Sequence, residues 1–83
     1  MEVAGYFRRN VLQNPDRDIT QEMCERIVEN PEHQDRQPDG RFVYWGQPEG
    51  RELYLRVIVA EDGTALHNAF FDSSFTRKRR RRA

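Results

Sequence analysis

Cysteine is almost absent: the one thiol, Cys24, cannot close an intramolecular disulfide, so packing and hydrogen bonds must hold the fold. Its neighbours Met23 and Ile27 mark it as a helix-packing residue rather than a nucleophile, and a lone thiol suits a reducing compartment. Histidine is scarce too, and His33, His67 and Cys24 show no metal-ligand spacing, so no metal site is expected. Five scattered glycines provide neither a phosphate-cradling loop nor a dinucleotide fingerprint, and no cofactor is implied. Ser73 and Ser74 lack the strand-turn-helix setting of a nucleophile elbow, and no carboxylate pair stands at a spacing that suggests glycoside hydrolysis. Long apolar runs are missing as well, since Arg56 interrupts the longest. No membrane span or secretory leader is therefore expected, which points to a soluble cytoplasmic protein with no membrane partner.

What is present is charge, unevenly placed. The chain of 83 residues holds 14 cations and 14 anions, but the run Arg77, Lys78, Arg79, Arg80, Arg81, Arg82 contains six of the cations and no anion. Residues 1–76 thus carry eight cations against fourteen anions, a net charge of −6. An acidic body repels phosphate at long range while the basic run attracts it, so any nucleic-acid affinity should depend on that run. The division predicts a single domain over residues 1–76 and a disordered, solvated basic tail over residues 77–83.

Val3, Tyr6, Phe7, Val11 and Leu12 recur at roughly helical intervals before Pro15, which predicts a short first helix. Asp18 and Gln21 resemble a capping pair, and Ile19, Met23, Cys24, Ile27 and Val28 form an apolar stripe, which predicts a helix from about Ile19 to Glu29 ending at Asn30-Pro31. Three turn signals follow: Pro38-Asp39-Gly40, Gln47-Pro48-Glu49-Gly50 and Asp62-Gly63. They separate four extended segments, near Glu32 to Arg36, Arg41 to Trp45, Glu52 to Ala60 and Thr64 to Phe71. Leu53, Leu55, Val57 and Val59 share one face of the third, which should be central. The predicted architecture is α+β, with one or two N-terminal helices packed on a four-stranded antiparallel meander.

The last hairpin, LYLRVIVAEDGTALHNAFF, holds an arginine and a histidine among apolar residues. If Asp62-Gly63 form a two-residue turn, Arg56 faces Ala69 and lies diagonal to His67 on one face; if Glu61-Asp62-Gly63 form a bulged loop, Arg56 faces Asn68 and His67 turns away. Metal-independent cleavage of RNA needs a base for the 2′-hydroxyl, a cation for the developing charge and an acid for the leaving group. Arg56 and His67 are the candidate catalytic pair. Arg41, Tyr54 and the basic run are candidate phosphate and nucleic-acid contacts.

The order of elements, with an arginine in a strand reading YLRV, resembles the small RelE-like and BrnT-like toxins of toxin–antitoxin systems. It resembles more closely an uncharacterised bacterial family reading QPDGR, YLRV, EDG and HNAF, here Gln37 to Arg41, Tyr54 to Val57, Glu61 to Gly63 and His67 to Phe70. The resemblance covers about residues 6–75. It implies a metal-independent endoribonuclease or ribosome-directed activity, with RNA or the ribosome as target and a cognate protein partner. Only Arg56 carries over residue by residue, because Asp72-Ser73-Ser74-Phe75 stands where those ribonucleases typically place a basic residue and often a tyrosine. The alternative on the same scaffold is a non-catalytic module that binds protein or nucleic acid, monomeric or dimerised through a free edge strand.

Overall fold

The computed structural model describes residues 1–82, with the Arg82 side chain and Ala83 outside the described residues. The described residues form an α+β domain of three α-helices and a five-stranded mixed sheet, with strand order β1-β5-β4-β3-β2. Strands β2 (His33–Arg36), β3 (Phe42–Gly46), β4 (Tyr54–Val59) and β5 (Ala65–Asp72) make the expected antiparallel meander. The third of them is the middle strand of the sheet, as its apolar run predicts. Leu53 departs from that run: it precedes β4 and is exposed.

The fifth strand, β1 (Glu2–Val3), pairs in parallel with β5 along its far edge. Two residues are too few to show an alternating pattern, so Val3 reads as helical in the sequence. The short first helix begins as α1 (Gly5–Phe7) and runs on as a π-helical segment, Arg8–Leu12, in which Gln13 N–H donates to the Arg8 carbonyl at 3.0 Å. Phe7 and Val11, about one turn apart, face the core together, where both are fully buried.

Helix α2 spans Gln21–Glu29. Its cap is Thr20, whose hydroxyl accepts from Met23 N–H at 3.2 Å, rather than Asp18. Asp18 instead takes a left-handed backbone (φ 51°) and pairs with Arg51 at 2.6 Å. Cys24 and Ile27 on α2 join Phe7, Val11, Leu55, Val57, Val59, Leu66 and Ala69 in the principal core. Gly46 lets α2 approach closely, since a Cβ there would meet Ile27 Cγ1 at 3.0 Å.

Two corrections concern the ends of the sheet. The last hairpin takes neither expected register throughout. Val59 faces Leu66, as a two-residue turn requires, but Ile58 faces Asn68 and Arg56 faces Phe70, so His67 is an extra residue in a bulge. Residues 77–82, expected to be a disordered tail, belong to helix α3 (Ser73–Arg82). The fold therefore has helices both before and after the meander rather than N-terminal helices alone. On the opposite side of the sheet from β1, β2 is an edge strand with all four residues exposed.

Candidate aromatic and basic site

Alternation along β3 and β4 separates two faces. Leu55, Val57 and Val59 point to the side covered by α1 and α2, so Tyr54, Arg56 and Ile58 point to the other, together with Val43 and Trp45. A second cluster of Val43, Trp45, Ile58, Tyr54, Phe70 and Phe75 forms there, under the first turn of α3. Asp72, the last residue of β5, holds it. Its Oδ1 accepts from Phe75 N–H at 2.9 Å, capping α3, and its Oδ2 accepts from the Trp45 indole N–H at 3.2 Å. Thr76, only 2% exposed, donates to the Asp72 carbonyl at 2.8 Å and accepts from Tyr54 N–H at 2.9 Å. These bonds fix α3 against the end of β4.

Arg56 is held more by rings than by charge. Its guanidinium carbon lies 5.4 Å from the Trp45 centroid and 5.5 Å from that of Phe70. Asp72 Oδ2 stands 3.9 Å from its Nη1, and its buried Nε has no hydrogen-bond partner among the described residues. His67 sits elsewhere. Its ring stacks on Tyr6, at 5.3 Å and 15°, on the helix that covers the opposite face. Burial lowers its pKa and nearby Arg41 lowers it further, with Asp39 acting in the opposite sense. Arg41, at the tip of the β2–β3 turn, pairs with its own neighbour Asp39 at 3.1 Å. The proposed catalytic pair is thus split: Arg56 and Tyr54 lie under α3, while His67 and Arg41 lie towards the other end of the sheet.

The basic run joins the Arg56 face. Phe75 and Arg79 are one helical turn apart on α3, and the Arg79 guanidinium lies 5.6 Å from the Phe75 ring and 5.9 Å from Tyr54. Phe75 stacks on Trp45 at 4.9 Å and 22°, and His33 from the edge strand lies 5.8 Å from Phe75 and 5.3 Å from Trp45. His33, Trp45, Phe75, Lys78 and Arg79 together line a cleft of about 280 Å3. Arg80 pairs with Glu52 at 2.6 Å, while Lys78 and Arg81 make no ion pair among the described residues.

A larger hollow, about 580 Å3, lies between α2 and the β3–β4 loop, but Arg26 and Arg51 there are offset by Glu32 and Glu49. It has no net charge to select a ligand. Cys24 is inert in the principal core, its thiol pushed up to about 12 by burial and by Glu25. No three His, Cys, Asp or Glu side chains among the described residues gather as metal ligands, and no helix among them is long and apolar enough to cross a membrane.

Sequence reasoning missed His33, Trp45 and Phe75 as a group. His33 carries no signal in the sequence beyond its lack of metal-ligand spacing, and the Phe75–Arg79 spacing has meaning only once residues 73–82 are helical. No protein family, curated protein or solved structure matches this chain.

Proposed function

We propose that this chain is a non-catalytic nucleic-acid-binding module, with the cations of α3 contacting phosphates and the aromatic cleft beside them contacting bases. The observation that carries this reading is the placement of six consecutive cations on a helix that is docked, through Phe75 and Arg79, against Trp45, Tyr54 and His33. Cations next to stacking rings are the two requirements for binding single strands. The rest of the surface is acidic, so the phosphate chain is confined to this end.

Cleavage is supported less well than binding. Acid–base attack by a 2′-hydroxyl needs its proton acceptor and its cation at one phosphate, whereas Arg56 lies between Trp45 and Phe70 and His67 stacks on Tyr6 near Arg41. The RelE/BrnT-like ribonuclease reading therefore rests on resemblance alone.

Fluorescence anisotropy with a labelled single-stranded RNA tests the proposal. The full chain should bind, and the triple variant R77Q/K78Q/R81Q, which keeps good helix formers, should bind at least tenfold more weakly at moderate salt. Equal binding by the two proteins would contradict it. Shortened RNA after incubation with the full chain, lost in H67A or R56A, would restore the ribonuclease reading.

A further inference from the structure

We propose that the cleft between β2 and α3 is a slot for a single unpaired nucleobase, so that the protein selects single strands over duplex. This rests on the nucleic-acid-binding reading and deepens it. Trp45 and Phe75 form the floor, with Trp45 only 9% exposed; His33 of the edge strand stands on one side, and Lys78 and Arg79 of α3 on the other. At about 280 Å3 the space lies at the lower end of small-molecule pockets, which suits one flat ring and not a base pair with its backbone.

The lining also says how the ring is held. The Trp45 indole N–H is already given to Asp72 and its ring is stacked by Phe75, so the cleft offers the rim of that ring pair and the exposed His33 ring rather than a directional donor. Recognition is then by stacking, which every base permits, and tolerates sequence. Arg79, already lying over Phe75 and Tyr54, presents a planar guanidinium at the mouth, and Lys78 beside it is placed to meet the phosphate of the seated nucleotide. A duplex keeps its bases stacked on each other and can meet only the α3 cations.

Trp45 is the only tryptophan, so its emission reports on the slot directly. The full chain is titrated with oligouridylate, oligothymidylate, an abasic strand of equal length and charge, and a duplex. Both base-bearing single strands should quench Trp45 and bind about tenfold or more tightly than the abasic strand, whereas abasic strand and duplex leave the emission unchanged. In H33A, which changes an exposed residue, the gap between base-bearing and abasic strands should shrink severalfold. Equal affinity for base-bearing and abasic strands, with no quenching, overturns the slot and leaves the phosphate-binding reading standing. Failure of every strand to bind overturns both. A preference for uridylate over thymidylate of equal length would assign the slot to RNA, and equal response to any unpaired base.

Discussion

Asp72 bears more of the structure than its plain place at the end of a strand suggests. One carboxylate caps α3, accepts the Trp45 indole N–H and supplies the nearest negative charge to the buried side of Arg56. Removing it leaves a helix end, an indole and a guanidinium without a partner. Lost caps cost about 1 kcal/mol, and each buried donor left unpaired about 1–3 kcal/mol, so Asp72→Ala should lower stability by about 2–4 kcal/mol. Chemical denaturation measures this directly, and a loss below about 0.5 kcal/mol would show that α3 docks by other means. Asp72→Asn, which keeps an acceptor for the cap, should lose less.

His67 gives the residue scale a pH dependence. Its folded pKa is lowered, mainly by burial and then by Arg41, so the unfolded chain takes up its proton first as pH falls. The unfolded state then binds more protons than the native one. Stability that is complete above the ordinary histidine value of about 6.5 is therefore lost as pH falls through it towards the folded pKa. Thermal unfolding followed from about pH 7.5 to 5.5 should show a fall in Tm that is smaller in His67→Gln. Parallel profiles for the two proteins would contradict the assignment.

At the scale of elements, α3 is the part whose stability is least assured by its own sequence. Arg77 and Arg81 stand one turn apart, and like charges at that spacing oppose a helix. Three features offset this: the Asp72 cap, the Phe75 and Thr76 anchors, and the favourable interaction of cations with the helix C-terminus. Screening weakens the repulsion, as does a bound polyanion, so helical circular dichroism should rise when salt or single-stranded nucleic acid is added. A signal unchanged by either, or falling, would place the stabilisation elsewhere.

The same element shows the limit of reading structure from pattern. The three Pro/Gly turns and the alternation of Leu55, Val57 and Val59 made the meander legible, because each turn residue has a backbone reason to be there. Helix α2 was legible from its stripe, though Thr20 and not Asp18 caps it. Helix α3 was not, since SSFTRKRRRR has no apolar period and its anchors, Phe75 and Thr76, become informative only when β3 and β4 are in place. The His67 bulge was hidden for a related reason: Arg17 fastens that edge by donating to Asn68 Oδ1 and to the Ala69 carbonyl, a contact across about fifty residues of sequence. Arg56 and His67 were found as unusual residues. Their different surroundings, rings and Asp72 for Arg56 and Tyr6 and Arg41 for His67, depend on the bulge and could not be read from the chain.

At the scale of the whole molecule, the balanced charge conceals a strong polarity. Six cations lie at one end, and the remaining residues carry a net −6. Such a molecule should associate with polyanions end-on and strongly dependent on salt, with its acidic remainder facing away. Preference for single strands then has to come from the rings beside α3, because phosphate contacts are offered by single strands and duplex alike.

The dependence of single-strand affinity on salt therefore tests the central claim most directly. Each phosphate neutralised on a single strand contributes roughly −0.7 to the slope of log affinity against log salt, so six cations set a limit of about −4. Arg80 is tied to Glu52 and Arg79 lies over Phe75, so the full chain should give a slope between about −2 and −4. The R77Q/K78Q/R81Q variant should lose about 2 from its magnitude. A full-chain slope near zero, or a slope unchanged in the variant, would contradict nucleic-acid binding through α3.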